Sequence, residues 1–406
     1  MKNRISALLL GTALVLATAS IASAQDKTVK IGALSDQSGL YADLGGPGST
    51  LAAQMAAEDS GLTSKGWKID IISGDHQNKP DIGSNLARQW FDVDKVDAIV
   101  DVPNSGVALA VNNIVKEKNG VYINSGAATS DLTNAQCSPN TVHWTYDTYM
   151  LAHSTGQAMV KAGGDTWFFL TADYAFGAAL ERDTTAVITA NGGKVVGTVK
   201  HPLNTSDFSS FLLQAQSSKA KVIGLANAGG DTTNSIKQAA EFGITKGGQK
   251  LAALLLFITD VKAIGLETAQ ELSLTETFYW DMNDETRAFS KKFAARMKNG
   301  APPSMVQAGV YAGLMHYFKA LEALGGNPHD GAKVVAKMKE MPTDDPLFGK
   351  GSIQPNGRTI HSAYLFEVKK PSESKSAWDF YKLVGTVPGD QAFTPLDKST
   401  CPLLKK

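Results

Sequence analysis

The feature that most constrains this chain is a regular alternation of short apolar runs with longer helical patterns. In the first part the predicted strands are 29–34, 68–72, 97–100 and 121–123, and the predicted helices are 50–59, 82–91 and 107–118. Near-continuous apolar strands separated by amphipathic helices are typical of parallel sheets that helices cover on both faces. The sequence therefore predicts an α/β fold class.

The same alternation begins again near Tyr146. The second series has predicted strands at 167–170, 195–199, 221–225 and 251–257, and predicted helices at 147–161, 178–190, 208–217 and 232–242. A chain of about 400 residues is also longer than one ordinary core supports. Two open α/β lobes that follow each other in one chain are therefore expected.

The last part of the chain changes pattern. Helices are predicted at 286–298, 305–324 and 331–339, and residues 370–377 are polar and predict a loop. Between them, 347–353 and 361–368 have the composition of strands, with a Pro-Asn-Gly turn at 355–357. We expect these two strands to form an antiparallel pair.

The N-terminus has the pattern of a secretory signal peptide over residues 1–24. Lys2 and Arg4 precede the apolar run 5–19, and a small-x-small cleavage site follows at 22–24. The alternative is a membrane anchor, but the run is short for a bilayer. The prediction is a cleaved protein in the periplasm. There, Cys137 and Cys401, the two cysteines of the sequence, would most simply pair; the alternative is two buried thiols that never meet.

The charge balance argues against nucleic acid as a partner. The chain has 39 basic and 39 acidic residues, and removal of Lys2 and Arg4 leaves a slight acidic excess. No basic stripe is present to neutralise phosphates. After the N-terminal segment, no apolar run approaches the ~20 residues of a membrane-spanning helix.

Motifs for catalysis and for metal binding are missing from the sequence. There is no Gly-x-Ser-x-Gly elbow, phosphate loop or dinucleotide fingerprint, and the seven histidines are scattered without metal-ligand spacing. We therefore predict no enzymatic activity, cofactor or metal. An exported α/β hydrolase remains the alternative from another class. Its nearest acid/base pair is Asp75-His76, more simply a loop histidine bonded to a neighbouring carboxylate.

Small and hydroxyl-bearing residues follow the strands of the first series. They occur at 35–39, 103–106 and 124–129. In open parallel sheets ligands bind beyond the carboxyl ends of the strands, where helix-start N–H groups favour an anion. Each loop alone could be an ordinary cap or turn. Three loops at one sheet edge favour a binding site.

The loops of the second series offer a more aromatic surface. They lie at 173–177, 227–231 and 257–260, and they contain Tyr174, Phe176 and Phe257. Aromatic rings bury a large apolar area, and tyrosine adds a polar group. These rings would cover an apolar part of a ligand, although core packing is the alternative for Phe176 and Phe257.

Three segments together resemble the type I periplasmic binding proteins, most closely the branched-chain amino-acid (leucine/isoleucine/valine-binding) group of ABC importers. They are VKIGALSDQSG at 29–39, INSGAAT at 123–129 and DYAFG at 173–177, and the resemblance covers the whole mature chain. It implies two Rossmann-like lobes joined by three hinge crossovers, near Tyr146, Leu272 and Pro346. The implied bounds are 25–145 plus 273–345 for lobe 1, 146–272 plus 346–370 for lobe 2, and a tail at 371–406 near the hinge.

The resemblance also implies a site in the cleft and a partner. The loops of lobe 1 would hold a ligand carboxylate, an aromatic at Phe176 would lie over the ligand, and a membrane permease of an ABC importer would recognise the closed, monomeric protein. The predicted ligand-binding residues are Tyr41, Asn104, Ser105, Gly126, Ala127, Ala128, Thr129, Tyr149, Tyr174, Phe176, Asn227, Ala228, Phe257 and Asp260.

Two departures from the group's pattern bear on the ligand. The acidic residue that holds an amino acid's ammonium falls on Thr259 or Asp260, so a carboxylate is not assured there. The region is also rich in rings, namely Tyr41, Trp144, Tyr146, Tyr149, Tyr174, Phe176, Phe257 and Trp280. We therefore favour an aromatic carboxylate of the benzoate or hydroxycinnamate type over a branched-chain or other aliphatic amino acid. A ligand-sensing ectodomain acting through a separate partner is a further alternative.

Overall fold

The computed structural model describes residues 27–404. The predicted signal peptide, residues 1–24, lies outside the described residues. The helices of eight or more residues are α1 Gly46–Asp59, α2 Pro80–Gln89, α3 Ser105–Glu117, α6 Ala175–Ala190, α7 Ser209–Ser217, α8 Gly230–Glu241, α11 Asp284–Ala294, α12 Met305–Leu324 and α13 Gly331–Glu340. The shorter ones are α4 Thr148–Leu151, α5 Gln157–Lys161, α9 Ile258–Ile264, α10 Leu266–Ala269 and α14 Gly389–Ala392. In the described chain, no helix combines the length and the apolar character that crossing a membrane requires.

The strands form two parallel sheets and two small antiparallel ones. Their bounds are β1 Thr28–Ser35, β2 Lys68–Asp75, β3 Ala98–Asp101, β4 Val121–Asn124, β5 Thr141–His143, β6 Thr166–Ala172, β7 Lys194–His201, β8 Val222–Ala226, β9 Lys250–Ala253, β10 Ser273–Glu276, β11 Thr343–Asp345, β12 Gly349–Ile353, β13 Thr359–Ile360, β14 Ala363–Val368 and β15 Tyr381–Val387. The predicted α/β class is confirmed.

The first sheet has the strand order β2-β1-β3-β4-β5, and all of its pairs are parallel. The side chains of Ile31 and Ala33 on one face of β1 and of Leu34 on the other are completely buried, as is typical of a parallel sheet covered on both faces. Helix α12 packs against β4 so closely that a Cβ on Gly313 would approach Ile123 Cγ2 to 2.6 Å. This sheet and its helices are the first lobe.

The second sheet has the strand order β7-β6-β8-β9, again with parallel pairs throughout. Beside it lies the antiparallel sheet β10-β14-β15, whose Leu274 and Phe366 belong to one buried apolar cluster with Leu170 and Leu225. The two sheets therefore share a core, and together they are the second lobe.

The C-terminal strands pair differently from the prediction. Strand β12 pairs with the short β13, while β14 leaves it to pair with β10 and β15. The expected pair of 347–353 with 361–368 is therefore wrong: residues 352–353 pair with 359–360, and residues 363–368 pair with β10 and β15. The turn at 355–357 is held against the first sheet because His143 N donates to Gly357 O at 2.8 Å.

These pairings place two segments in a different lobe from the one expected. Residues 273–276 pair within the second lobe, and residues 349–360 lie beside the first sheet, where His143 bridges Arg358. From these pairings we propose that the chain passes between the lobes at 144–147, 277–283 and 361–362, whereas the three passages were expected near Tyr146, Leu272 and Pro346. We propose 27–143 plus 284–360 as the first lobe, and 148–276 plus 363–387 as the second.

A buried ion pair fixes the first passage between the lobes. Arg358 Nη1 lies 3.4 Å from Asp147 Oδ2, and the guanidinium also donates to Thr145 O. The ring of Phe393 covers the guanidinium at 4.2 Å. Burial raises the pKa of Asp147 to about 6, although the nearby Arg358 opposes this rise. The hinge region is therefore a packed structure tied to the C-terminal segment.

The predicted disulfide between Cys137 and Cys401 is confirmed, with the two Cα atoms 5.6 Å apart. Around it, Ser399 Oγ donates to Thr133 O at 3.3 Å, and Asn134 Nδ2 donates to Thr394 Oγ1 at 3.5 Å. The segment after β15 thus returns to the first lobe and is cross-linked there.

Candidate ligand-binding site

A narrow cavity lies between the lobes at the carboxyl ends of the parallel strands. It is lined by Tyr41, Leu44, Pro103, Gly126, Ala128, Tyr146, Tyr174, Phe176, Ala228, Leu255 and Phe257. Ten of these residues follow strands β1, β3, β4, β6, β8 and β9, and Tyr146 lies on the first passage. In this closed arrangement the free space in the cavity is about 10 Å³, which is about the room that one water molecule needs, so a larger ligand enters only when the lobes move apart. The position of the cavity matches the edge at which open α/β sheets bind ligands.

The first lobe forms its part of the cavity with small residues on a pinned loop. Asn124 holds the turn, because its Nδ2 donates to Ala127 O at 2.8 Å and its Oδ1 accepts from Ala127 N at 2.9 Å. Gly126 fits closely, since a Cβ there would lie 2.4 Å from Asp101 Oδ1 and 2.7 Å from Pro103 Cα. The Tyr146 hydroxyl donates to Gly126 O at 2.6 Å. Glycine at position 126 is therefore required by the packing of this loop against Asp101 and Pro103.

The second lobe contributes rings that are set by helix starts. Phe176 lies in the first turn of α6 and is almost completely buried. Phe257 precedes α9, and Asp260 Oδ2 accepts a hydrogen bond from Phe257 N at 2.9 Å. The Phe257 ring meets the Tyr146 ring edge to face, with centroids 5.9 Å apart. The cavity wall on this side is therefore aromatic and fixed by local hydrogen bonds.

The two lobes touch across the cavity through two tyrosines. Tyr41 OH and Tyr174 OH are 2.6 Å apart, and they come from the loops after β1 and β6. Beside them, Gly229 has φ +58° and a Cβ on it would lie 2.8 Å from Leu40 O. Only glycine allows this backbone conformation and this approach of the β8 loop without strain. The structure therefore has the lobes closed against each other.

Two carboxyl groups lie near the cavity, one in each lobe. Burial raises the pKa of Asp101 to about 7, although the hydrogen bond from Ser35 Oγ at 2.7 Å opposes the rise. Burial also raises the pKa of Asp260 to about 7, against the hydrogen bond from Phe257 N. Neither is among the cavity-lining residues, and Asp260 instead faces a wider opening that Asp43, Thr233 and Thr259 also line.

Seven of the fourteen predicted site residues line the cavity: Tyr41, Gly126, Ala128, Tyr174, Phe176, Ala228 and Phe257. Ala127 and Asp260 lie directly beside lining residues. The side chains of Ala127 and Asp260 do not line the cavity. The side chains of the other five predicted residues, Asn104, Ser105, Thr129, Tyr149 and Asn227, do not line it either, because they make contacts elsewhere. Whether any of the fourteen binds a ligand stays a prediction.

The polar side chains that do not line the cavity contact neighbouring backbone and side chains. Asn104 Oδ1 caps α3 through Gly106 N and Val107 N, and Ser105 Oγ accepts from Thr129 N at 3.2 Å. Asn227 bonds to His201 and Thr232, while Tyr149 stacks on His153 with centroids 3.7 Å apart.

The prediction of site residues omitted Leu44 and Leu255, and it named Pro103 and Tyr146 only as members of a loop and of a ring-rich region. Residues 251–257 were expected to form one strand, but β9 ends at Ala253. The following turn brings Leu255 into the cavity. The signal that was available is Asp260, a residue type that caps helix starts: its carboxylate accepts from Phe257 N as α9 begins at Ile258, and the four residues 254–257 form the turn after β9.

Among residues 27–404 there is no cluster of three or more His, Cys, Asp or Glu suited to a metal ion. The Asp75-His76 pair is used in turn formation, since His76 Nδ1 accepts from Asn78 N and Asp75 Oδ1 accepts from Gln77 N. Burial lowers the pKa of His76 to about 4. The expected bond between this histidine and a neighbouring carboxylate is therefore replaced by a backbone contact.

Comparison with known proteins gives a consistent family. Residues 28–375 match the family model described as periplasmic binding protein. A solved periplasmic binding protein from Burkholderia mallei is 54% identical, with a TM-score of 0.90 over 93% of this chain and 100% of that one. A branched-chain amino acid ABC transporter ligand-binding protein from Burkholderia xenovorans is 40% identical, with a TM-score of 0.81 over 92% and 99%.

More distant relatives share the fold. A Leu/Ile/Val-binding protein homologue from Brucella melitensis is 27% identical over 89% of this chain and 93% of its own length. A Rhodopseudomonas palustris solute-binding protein, solved with benzoate, is 22% identical, with a TM-score of 0.78 over 92% and 99% of the two chains. The architecture therefore persists where most residues have changed.

Proposed function

Because the chain belongs to the periplasmic binding protein family of ABC transporters, we propose that it captures an aromatic carboxylate between its lobes. Benzoate and hydroxycinnamate are the types of acid that we favour. The ligand would be held by non-covalent contacts and passed to the membrane permease of an importer. Binding in the cleft at the carboxyl ends of both sheets requires no metal or cofactor.

The observation that carries this proposal is the chemistry of the cavity wall. Five aromatic rings line the cavity, and its other described lining residues are aliphatic or small. Rings pack on rings with offset or edge-to-face geometry, and such pairs add about 0.5–1.5 kcal/mol beyond the area that they bury. A flat apolar ligand matches this wall better than a flexible polar one.

The absence of a charged side chain among these lining residues argues against an ammonium group in the ligand. An amino acid brings a cation that must be paired when it is buried. Asp260, the nearest predicted partner, accepts from Phe257 N and faces the outer opening. A ligand that carries only a carboxylate avoids the cost of burying an unpaired ammonium.

A carboxylate has favourable surroundings on the side of the first lobe. Helix α3 begins two residues after Pro103 and is long enough for its positive N-terminal end to attract an anion. Gly126 and Ala128 leave their backbone accessible because their side chains are small. Exclusion of water as the lobes close would strengthen these contacts.

The alternative is a branched-chain or other aliphatic amino acid. The names of the Burkholderia xenovorans and Brucella relatives favour it. The benzoate complex from Rhodopseudomonas palustris is too distant to carry more than the fold. The proposal of an aromatic ligand therefore depends on the residues of the cavity wall and not on sequence similarity to relatives.

A ligand panel tests the proposal directly. Purified protein is titrated by calorimetry with benzoate, 4-hydroxybenzoate, 4-hydroxycinnamate, leucine and valine, and benzamide serves as the uncharged counterpart of benzoate. We expect at least one aromatic acid to bind with a micromolar or lower dissociation constant, and benzamide to bind at least tenfold more weakly than benzoate. Binding of leucine or valine alone would refute the aromatic assignment. Chromatography after incubation with benzamide, whose amide bond can be hydrolysed to benzoate and ammonia, then checks the hydrolase alternative, which requires turnover.

A further inference from the structure

We propose that the hydroxyl pair Tyr41–Tyr174 selects aromatic acids that carry a hydroxyl on the ring. This inference rests on the proposed function and narrows its substrate class. It follows from the few polar side-chain atoms in the cavity, from their hydrogen-bond capacity and from their position on opposite lobes.

The polar side-chain atoms among the cavity-lining residues are three tyrosine hydroxyls. The Tyr146 hydroxyl is already used, because it donates to Gly126 O at 2.6 Å and so fixes the loop of the first lobe. Tyr41 OH and Tyr174 OH bond to each other at 2.6 Å. Within residues 27–404 neither of these two hydroxyls makes another hydrogen bond.

The pair has unused capacity of both kinds. A tyrosine hydroxyl offers one donor and two acceptor lone pairs. One bond between the two groups uses one donor and one lone pair, so one O–H donor and several lone pairs remain. A phenolic hydroxyl also both donates and accepts, and it can therefore complete a three-membered hydrogen-bonded chain with the pair.

The surroundings of the pair favour a ring-borne hydroxyl over water or an aliphatic alcohol. The Tyr174 ring lies 5.9 Å from the Phe176 ring, and Tyr41 is almost completely buried. A hydroxyl that enters this place must therefore be attached to a group that fits between aromatic walls. A hydrogen bond made here is shielded from competing water.

The pair also couples recognition to closure, because its members come from opposite lobes. Tyr41 follows β1 of the first sheet, and Tyr174 precedes α6 of the second lobe. A ring hydroxyl can bond both only when the lobes are together. Such a ligand stabilises the closed form over an open one, and it is this differential stabilisation that shifts a conformational equilibrium.

The expected discrimination is moderate. A site with unpaired buried polar groups rejects a ligand without the matching hydroxyl very strongly. Here the two tyrosines satisfy each other when the ligand lacks a hydroxyl, so the penalty is smaller. We expect a preference of roughly tenfold, the size of one net hydrogen bond.

The test compares ligands of equal size on matched variants. Calorimetric titrations use 3-hydroxybenzoate, 4-hydroxybenzoate, and 3- and 4-methylbenzoate with wild-type protein, Tyr41→Phe and Tyr174→Phe. Tyr146→Phe is the control inside the cavity, since its hydroxyl is committed to the backbone. Tyr311→Phe is the remote control, because its hydroxyl donates to Asp59 on the outer surface.

We expect one hydroxybenzoate to bind wild-type protein roughly tenfold more tightly than the methylbenzoate of the same position. Tyr41→Phe and Tyr174→Phe should each remove most of this preference and change methylbenzoate binding by less than about threefold. Both controls should retain the preference.

Two outcomes would overturn the inference while leaving the proposed function intact. Equal weakening of hydroxy and methyl acids by Tyr41→Phe or Tyr174→Phe would make the pair a latch between the lobes without a role in selection. Tight binding of benzoate and the methylbenzoates, with no preference for the hydroxybenzoates, would show that the pair does not recognise a hydroxyl on the ring. Failure of every aromatic acid to bind wild-type protein would instead refute the proposed function.

Discussion

The two lobes contribute different types of residue to the cavity between them. In the first lobe, the cavity loops consist of small residues held by side chains that bond to their own backbone, as Asn124 does around Ala127. In the second lobe, the equivalent loops present Phe176 and Phe257 from the first turns of helices. The first lobe therefore offers accessible backbone for an anion, and the second supplies the apolar surface that covers a ring. A cleft protein can divide polar and apolar recognition between its halves.

Stability is also distributed unequally, because the first lobe carries the cross-link. Replacement of Cys401 by Ser should lower the free energy of unfolding by about 5 kcal/mol, since the bond closes a loop of 264 residues. Hydrogen exchange should show the loss mainly in the first lobe. Ser399→Ala, which removes the two hydrogen bonds of the Ser399 hydroxyl with Thr133 O and Cys401 N, is the control and should cost about 1–2 kcal/mol. Equal loss of protection in both lobes would contradict this asymmetry.

The division of binding roles predicts that a ring of the second lobe matters more than an aliphatic contact of the first. Phe176→Ala should weaken the binding of an aromatic acid by roughly 100-fold, and Leu44→Ala by roughly fivefold, as measured by calorimetry. Phe211→Ala removes a partly buried ring of the second lobe that packs on His201 and Phe208, away from the cavity. It should leave affinity unchanged. Unchanged affinity in Phe176→Ala would remove that ring from the site.

The smallest expected effect concerns one buried carboxyl group in each lobe. Asp101 and Asp260 have pKa values near 7 in the folded protein, whereas an unfolded chain ionises aspartate near pH 4. The folded state therefore binds more protons between about pH 4 and pH 7, and its stability falls as the pH rises through this window. The contribution of these two carboxyl groups to the melting temperature should therefore fall from pH 4 to pH 7, whereas buried His76 and His361, whose pKa values are lowered to about 4, contribute with the opposite sign.

Replacement of either carboxyl should reduce that drop. Asp101→Asn and Asp260→Asn should each flatten the dependence by a similar amount, because burial raises both pKa values alike. Asp284→Asn is the matched control at an exposed position, and it should leave the slope unchanged. A difference in melting temperature between wild-type protein and these two variants that stays constant from pH 4 to pH 7 would contradict the raised pKa values.

Much of the fold could be predicted because hydrophobic periodicity marks helices and buried strands. Helix α12 has the predicted bounds of 305–324, and β1 extends the predicted strand by one residue at each end. Strand β15 was missed, since it lacks the alternation of a half-buried strand: Lys382, Leu383 and Val384 are three consecutive exposed residues at a sheet edge. Its pairing with β14 depends on tertiary contacts that local pattern does not encode.

The candidate site was predictable by loop but not by side-chain direction. Strand ends identified the loops that meet at the cavity. The sequence could not show that Asn104 and Asn227 turn back to bond their own surroundings. Nor could it show that Tyr146, on the passage between lobes, faces the cavity and holds Gly126. These outcomes depend on how two distant segments approach each other.

The cross-link between Cys137 and Cys401 also has a consequence for maturation. A polypeptide that is threaded N-terminus first into an oxidising compartment exposes its first cysteine 264 positions before its partner emerges. Oxidation must wait for that late segment, by which time the whole second lobe has already arrived. In a chain exported as the predicted signal peptide implies, translocation would therefore set the order of assembly, and the disulfide of the first lobe would form last.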